Sequence, residues 1–251
     1  MKTIRFERDH AVGKIVLANP PLNRLDLRYS DCLRQAVHEA SESDIRVLLV
    51  KAEGPNFSLG GEVREWPGKD VNWFRTFVAE VNVSYRAIEA LRVPTIAAVR
   101  GLAFGGGFEL ALNCDFIVAA QNAVFRCVEV TTGMLPIAGA LRRLAERVGR
   151  ARASRFAMLG EGLPGAEAGR LGIATHIVPG GSRGDRSNAG SGPCERSNEI
   201  LRGHANAAEG LVGRRGSGGG RHGVGHHHGV VHHRGLHSRF CEYRQGFRSG
   251  D

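Results

Sequence analysis

The sequence predicts an α/β domain over residues 1–179, followed by a segment of different composition. Short strand-like runs alternate along the domain with segments whose apolar side chains recur at helical spacing. One run, 45–50, is almost wholly apolar, as are strands that are buried on both faces of a sheet. The chain has 251 residues, of which 42% are hydrophobic, and this is enough for one sizeable core. We therefore expect stacked sheets covered by helices.

The first part of the domain predicts a hairpin, two helices and two further strands. The hairpin is expected to turn at Val12 and Gly13, between strands at 3–8 and 14–18. The elements expected after the hairpin are a helix at 29–43, a strand at 45–50, a helix at 71–91 and a strand at 95–99.

A glycine run between a strand and a helix is the most informative stretch. Glycines at 105–107 follow the strand at 95–99, and a helix is expected over 106–113. The first turn of a helix presents unpaired N–H groups with partial positive charge, and glycine allows a ligand to approach them closely. The run therefore predicts a site for an oxygen that carries or develops negative charge. Glu109 lies in the same helix, and a carboxylate beside such a site indicates proton chemistry.

Similar patterns predict the remaining elements. Strands are expected at 116–120, 123–126 and 175–178, and helices at 137–148, 151–159 and 164–170. A loop from Gly54 to Val63 carries a second glycine motif, Phe57-Ser-Leu-Gly-Gly-Glu62. Alone, this second motif would indicate an ordinary surface loop.

Together, the two glycine motifs resemble those of the enoyl-CoA hydratase/isomerase (crotonase) superfamily. The resemblance runs from about Ile4 to Pro179 and implies a crotonase-like spiral of ββα units. In that family, one backbone N–H from each motif holds the thioester oxygen of an acyl-CoA substrate. By position, these oxyanion-hole donors are Gly61 and Gly106. Removing one such donor typically costs about 3 kcal/mol of transition-state stabilisation.

The resemblance also identifies two acidic residues. Glu109 stands three residues after Gly106, at the position of the family's first catalytic glutamate. Glu129 matches the second, in a segment that keeps Gly133 and Pro136 but has valine in place of the usual proline before the glutamate. The pair implies an enzyme that hydrates an α,β-unsaturated thioester. Glu109 would activate water for attack at Cβ, and Glu129 would deliver a proton to Cα.

Further substrate contacts are expected beside these residues. The predicted substrate-binding residues are Leu59, Gly60, Gly105 and Gly133. Arg24 or Arg64 is expected to meet the phosphates of coenzyme A. Because coenzyme A is part of the substrate, we expect no separate cofactor, and we expect no metal site.

Two other kinds of function stay open at this point. A double-bond isomerase or another enolate-forming acyl-CoA enzyme is the nearer one, because a fold does not determine a reaction. An inactive or RNA-associated binding protein is the other, suggested by the C-terminal segment. The resemblance further implies a homotrimer or hexamer and a place in fatty acid metabolism.

Residues 180–251 differ in composition from the rest of the chain. They contain 18 of the 35 glycines, no lysine, and histidine clusters such as 226–228. The helices with which the family closes its acyl pocket and builds its trimer are not predicted here. The segment is interpreted as a flexible low-complexity tail or as an out-of-frame reading of a GC-rich gene, which resequencing would distinguish. Any metal binding by its histidines is expected to be adventitious.

Charge and cysteine usage favour a cytoplasmic protein without nucleic-acid partners. The net charge is +9, but residues 1–179 hold 23 Lys and Arg against 19 Asp and Glu, so the domain has no strong basic excess. The five cysteines form no CxxC pair, which is typical of isolated thiols in a reducing compartment. No apolar run is long enough to cross a bilayer and no leader is recognised, so no membrane association is expected.

Overall fold

The computed structural model describes residues 3–180, in which nine strands form two sheets with six α-helices around them. The strands are β1 (Ile4–Asp9), β2 (Val12–Leu17), β3 (Val47–Ala52), β4 (Thr95–Val99), β5 (Leu102–Phe104), β6 (Phe116–Ala120), β7 (Val124–Arg126), β8 (Leu163–Pro164) and β9 (His176–Val178). The helices are α1 (Tyr29–Ser41), α2 (Val71–Glu89), α3 (Gly106–Leu112), α4 (Ala140–Val148), α5 (Arg150–Leu159) and α6 (Gly165–Arg170). Two 3-10 helices cover Val63–Glu65 and Glu129–Thr132.

The larger sheet has six strands in the order β1-β2-β3-β4-β6-β9. Only β1 and β2 are antiparallel, and each later strand is parallel to its neighbour. Strand β3 lies inside the sheet, and Leu48, Leu49 and Val50 are fully buried. Side chains from successive positions of β3 point to opposite faces, so both faces of the sheet are covered, as the apolar run at 45–50 predicts.

The smaller sheet brings the two glycine motifs together. It has the order β5-β7-β8, and β5 is followed directly by the Gly105 turn and α3. The loop at 57–61 runs beside β5, because the Phe57 and Ser58 N–H groups donate to the Leu102 carbonyl and the Phe104 N–H donates to the Ser58 carbonyl. The loop therefore behaves as an added parallel strand.

The observed mixed α/β architecture confirms most predicted elements, with local differences at the hairpin turn, at two short strands that were not predicted (β5 and β8), and at the start of α4. The hairpin turns at residues 10–11, where His10 adopts a positive φ of 53°, so Val12 and Gly13 lie in β2. Strand β5 was not predicted, because three residues before a glycine turn are too short to show a period. Helix α4 begins at Ala140 rather than at 137, because Gly139 has a φ of 92° that no helix accommodates.

The atypical segment at 180–251 lies outside the described residues, apart from Gly180. The interpretation of that segment and of its histidines stays a prediction, as does the division of the chain at residue 179. Within residues 3–180, none of the helices combines the length and the apolar character that crossing a bilayer requires.

Candidate active site

Two glycines allow the loop at 57–61 and the turn before α3 to pack backbone against backbone. Gly60 has a φ of 80°, and a Cβ there would lie 2.8 Å from the Phe104 carbonyl oxygen and 3.2 Å from the Gly106 nitrogen. A Cβ at Gly107 would lie 2.6 Å from both the Ser58 Cβ and the Ser58 carbonyl oxygen. Real Cβ atoms do not approach this closely, so both positions require glycine. The two motifs are 40 or more residues apart in sequence, and this packing makes them neighbours.

Within residues 3–180, the Gly61 and Gly106 N–H groups are both left without acceptors. Leu25 donates to the Gly60 carbonyl and accepts from the Glu62 N–H, which turns the intervening Gly61 N–H away from Leu25. Gly106 is the first residue of α3, so its N–H has no partner within the helix. Within residues 3–180, no backbone carbonyl outside the helices and strands accepts from either group.

Both glycines line a cavity of about 320 Å³. Aromatic and aliphatic side chains form much of its wall, among them Tyr29, Trp66, Phe77, Val81, Tyr85 and Leu135. The predicted site residues Leu59, Gly105, Glu109 and Glu129 line the same cavity. A mostly apolar pocket with a few convergent polar groups is the usual form of a small-molecule site.

Glu109 lines this cavity and is buried, with 2% of its surface exposed. Its Oε1 accepts the Ala138 N–H at 2.8 Å and the Ala140 N–H at 3.2 Å. Burial, followed by the negative charge of Glu129, raises the pKa of Glu109 to about 7, against the opposing effects of the two N–H donors and of Arg143. A carboxyl that titrates near neutrality is suited to proton transfer.

Glu129 begins the 3-10 helix at Glu129–Thr132 and is 8% exposed. Its Oε1 lies 3.3 Å from the point where a Cβ on Gly105 would be. Its Oε2 is buried and has no hydrogen-bond partner. Burial raises the pKa of Glu129 above its usual value. An orphaned buried carboxyl oxygen is costly when ionised, so this residue favours its protonated form unless a ligand or water meets it.

The structure separates the predicted substrate-binding residues into two groups. Leu59 and Gly105 line the cavity, whereas Gly60 and Gly133 are not among the residues that line it. Gly60 allows the close backbone packing described above, and Gly133 ends the 3-10 helix with a φ of 72°. Both therefore support the site through the backbone, and we propose no direct substrate contact for them.

The two candidate arginines for coenzyme A have different surroundings. Arg24 lines the cavity and donates through Nη1 to the Gly61 carbonyl at 3.3 Å. Arg64 is 79% exposed and pairs with Glu62, with Nε to Oε1 at 2.7 Å and Nη2 to Oε2 at 2.6 Å. The hydrogen bonds from Arg64 hold the pKa of Glu62 near 2, so Glu62 stays ionised and is unsuited to proton transfer.

Several residues of the site were not predicted from the sequence. The Ala138 and Ala140 N–H groups bind Glu109, and Tyr85 donates its hydroxyl proton to the Gly106 carbonyl at 2.7 Å. Trp66 lies under Gly61, with Cζ2 at 3.1 Å from the position of a Cβ. The only local signal was the glycine at 139, which indicates a turn. Among residues 3–180, no group of three or more His, Cys, Asp or Glu side chains could hold a metal ion.

Comparisons with known proteins identify the family of the chain. The sequence model of the family "Enoyl-CoA hydratase/isomerase" matches residues 7–183. A Mycobacterium tuberculosis protein named probable enoyl-CoA hydratase is 35% identical over 180 residues, which cover 71% of this chain and 69% of the relative. A Bacillus subtilis protein of the same name is 33% identical, covering 70% and 69%.

Solved structures of similar fold are also named as enoyl-CoA hydratases. A crystal structure of an enoyl-CoA hydratase subunit from Geobacillus kaustophilus has a TM-score of 0.71 at 31% identity and covers 82% of this chain and 76% of that one. The enoyl-CoA hydratase of Bacillus anthracis has a TM-score of 0.71 at 27% identity, covering 84% and 82%. The predicted fold class is thereby confirmed, and the chain belongs to the enoyl-CoA hydratase/isomerase family.

Proposed function

We propose that the protein is an enoyl-CoA hydratase that adds water across the α,β double bond of an enoyl-CoA thioester. The observation that carries the proposal is the convergence of four groups on one cavity. These are two unpaired backbone N–H groups, at Gly61 and Gly106, and two buried carboxyls, Glu109 and Glu129. The names of the relatives support the same activity.

The thioester oxygen would accept both N–H groups, because charge develops there when the double bond is attacked. Water loses a proton to Glu109 as its oxygen bonds to Cβ, and the electron pair of the double bond moves onto the thioester oxygen as an enolate. Glu129 then gives its proton to Cα, and the thioester carbonyl forms again. One water is consumed, and proton exchange between the two carboxyls restores the starting state.

The surroundings of the two carboxyls support this division of roles. Two N–H donors and the nearby charge of Arg143 favour the ionised form of Glu109, whereas Glu129 Oε2 has no donor. Two carboxyls in one buried site disfavour double ionisation. Below pH 7 ionised Glu129 helps to keep the proton on Glu109, and we propose that this shared proton moves to Glu129 in the substrate complex. The charge of Glu129 contributes to the raised pKa of Glu109, and protonation of Glu129 therefore makes Glu109 easier to ionise.

The test is hydration of crotonyl-CoA by the wild type, Glu109→Gln and Glu129→Gln, followed by the loss of the enoyl thioester's ultraviolet absorbance. We expect kcat to fall by about 10²–10⁴ in each single variant, the usual contribution of a proton-transfer group. The double variant is expected to lose little more than either single one, because the two residues act as a unit. Wild-type rates in all three variants would reject these roles.

A double-bond isomerase is a second candidate, favoured by one observation. Glu109 is held by two N–H donors, while Glu129 alone presents an unpartnered oxygen. A single carboxyl can move a proton between two carbons of an acyl chain. If isomerisation of a 3-enoyl-CoA is retained in Glu109→Gln while hydration is lost, the isomerase proposal is favoured.

Other aspects of the function stay predictions. Contact of Arg24 with the coenzyme A phosphates is supported by its place at the cavity, and Arg64 is less well placed. The trimeric or hexameric state and the role in fatty acid metabolism are expectations from the family resemblance, and the cytoplasmic location is an expectation from charge and cysteine usage. The RNA-associated alternative depends on residues 180–251, which lie outside the described part of the chain.

A further inference from the structure

A short turn between the 3-10 helix at 129–132 and α4 supplies both N–H donors to Glu109. We name residues 137–140 the acid-binding turn, since the Ala138 and Ala140 N–H groups meet Glu109 Oε1 at 2.8 and 3.2 Å. Because Oε1 takes both donors, Oε2 is the oxygen left for a reacting water. The orientation of Glu109 therefore depends on what holds the turn in place.

Arg143 holds the acid-binding turn from one side. This side chain is 6% exposed, and its Nη1 donates to the Ala138 carbonyl at 3.0 Å. The carbonyl and the N–H of Ala138 are thus both engaged, one by Arg143 and the other by Glu109. A side chain at Gly139 would collide with the Arg143 guanidinium, so the glycine provides the space in which the arginine reaches the turn.

Glu89, at the end of α2, fixes the same guanidinium. Its Oε1 accepts from Arg143 Nε at 2.8 Å, and its Oε2 lies 2.7 Å from Nη2. This two-point pairing defines the plane of the guanidinium, which a single contact does not. Asn82, seven residues earlier on α2, donates to the Ile137 carbonyl at 2.8 Å. Helix α2 therefore holds the turn directly at Ile137, through Asn82, and indirectly at Ala138, through Glu89 and Arg143.

We propose that Arg143, oriented by Glu89, is a positioning residue that holds the acid-binding turn against Glu109 and directs Glu109 Oε2 into the cavity. The inference concerns the geometry of Glu109, and its catalytic meaning rests on the proposed hydratase function. Arg143 is not among the residues that line the cavity, so it acts through the turn and not on the substrate.

Loss of Arg143 is expected to change the pKa of Glu109 in a predictable direction. The two N–H donors and the positive charge of Arg143 all favour ionised Glu109, so a freed turn raises the pKa of Glu109. Because ionised Glu109 is the form that accepts a proton from water, the acidic limb of the pH–rate profile moves to higher pH. Within residues 3–180, the ionisable side chains that interact electrostatically with Glu109 are Glu129, Arg143, Tyr29, Tyr85 and Cys127.

The experiment titrates the Glu109 carboxyl by NMR in the full-length protein labelled with carboxyl-13C glutamate. It uses the Glu129→Gln background, so that the coupled second carboxyl is absent, and the Glu109→Gln spectrum assigns the signal. In Arg143→Met we expect the midpoint to rise by about one pH unit, the lower end of the effect of losing a nearby opposite charge. In Arg143→Lys, which keeps the positive charge but loses the two-point pairing of the guanidinium, the Glu109 midpoint is expected to rise less.

Arg147→Met is the matched control. Arg147 is also partly buried on α4 and also donates to backbone carbonyls, those of Leu112, Cys114 and Ile173, but it does not hold the acid-binding turn. Its loss is expected to lower the melting temperature without moving the Glu109 midpoint. Glu89→Gln retains an acceptor for Arg143 and is expected to give a smaller upward shift than Arg143→Met.

The proposal is overturned if folded Arg143→Met shows the same midpoint as Arg147→Met. If Arg143→Met does not fold, Arg143→Lys and Glu89→Gln test the proposal instead. Glu109 midpoints that are unchanged in both of these variants overturn the proposal. With Glu129 intact, crotonyl-CoA hydration is expected to lose roughly 10- to 100-fold in kcat in Arg143→Met, the size of a small misplacement of a catalytic group. A shifted midpoint in a protein whose wild type does not hydrate crotonyl-CoA would reject the hydratase function and retain the positioning role.

Discussion

Gly61 and Gly105 both line the active-site cavity, yet an added methyl group would meet different surroundings at each. Gly61 does not have a positive φ, and its only close neighbour is the Trp66 ring, 3.1 Å from a Cβ. Gly105 has a φ of 50°, and a Cβ there would lie 3.1 Å from Val128 Cγ2 and 3.3 Å from Glu129 Oε1. A side chain at position 61 therefore needs only space, whereas a side chain at position 105 must also adopt an unusual backbone conformation.

We predict that Gly61→Ala is tolerated better than Gly105→Ala. In Gly61→Ala the N–H donor remains and the indole of Trp66 moves by a few tenths of an ångström, so kcat/KM for crotonyl-CoA is expected to fall by less than about ten-fold. In Gly105→Ala the strained backbone costs about 1–3 kcal/mol and the methyl group displaces Glu129, so a loss of about 10²-fold is expected. Steady-state kinetics check this, and equal losses in the two variants would contradict it.

Helix α2 supports the site along one face. Asn82, Tyr85 and Glu89 follow one another at spacings of three and four residues, which places them on the same side of a helix. They contact the acid-binding turn, the Gly106 carbonyl and Arg143, respectively. The helix starts far from these contacts, at an Asp70 N-cap whose carboxylate accepts the Trp73 N–H at 2.7 Å. We therefore expect substitutions at the start of α2 to affect stability and substitutions at its end to affect catalysis.

Tyr85→Phe is expected to reduce both stability and activity. The hydroxyl that donates to the Gly106 carbonyl is lost, and an unsatisfied part-buried carbonyl costs about 1 kcal/mol or more. Because Gly106 supplies a proposed oxyanion donor, kcat is expected to fall while KM changes little. Tyr29→Phe is the control, since within residues 3–180 the Tyr29 hydroxyl bonds only to that of Tyr85, at 3.3 Å. Urea denaturation and crotonyl-CoA kinetics measure both effects, and an equal fall in kcat in the two variants would oppose the role given to Tyr85.

Asp70→Ala is expected to affect stability alone. Loss of an N-cap carboxylate typically costs about 1 kcal/mol, and Asp70 is exposed at the outer end of α2. The free energy of unfolding should therefore fall by about that amount, with kcat and KM for crotonyl-CoA unchanged. A large loss of kcat in a stably folded Asp70→Ala protein would show that the start of α2 is coupled to the site.

Burial of the Glu109 carboxyl lowers the stability of the whole molecule at neutral pH, because the ionised form is disfavoured in the folded protein. Glu109 has an ordinary pKa of 4.5 and a pKa of about 7 in the folded protein. Between these values the unfolded chain releases its proton while the folded chain retains it. The free energy of unfolding therefore falls as pH rises from about 4.5 to 7, and the full cost is present above pH 7.

We expect Glu109→Gln to stabilise the protein at pH 8 and much less at pH 5. The glutamine oxygen still accepts the Ala138 and Ala140 N–H groups, and it is neutral at every pH. The gain at pH 8 is expected to reach about 3 kcal/mol, the equivalent of a pKa difference of roughly two and a half units. Urea denaturation at the two pH values measures it, with Glu146→Gln on the surface as control. A gain of the same size at both pH values would contradict the assigned pKa.

Local patterns in the sequence were sufficient for most of the elements. Strands β4 and β6 were predicted with their observed bounds, because each is a five-residue apolar run bordered by turn residues. The start of α4 was misplaced because 137–139 has good helix formers beside one glycine, and the positive φ of Gly139 decided the outcome. The family resemblance identified the two glycine donors and the two glutamates. The spacing of the motifs places these residues on turns and at the starts of helices.

The sequence alone determined the family, the α/β class and which residues could supply two amides and two acids. Only the tertiary structure decided how those groups are held. The Glu109 carboxylate is bound by amides 29 and 31 residues away, and Arg143 pairs with a glutamate 54 residues away. Contacts of this kind leave no periodic signal, because they depend on where separate packed elements converge, whereas a strand or a helix turn is decided by its own neighbouring residues.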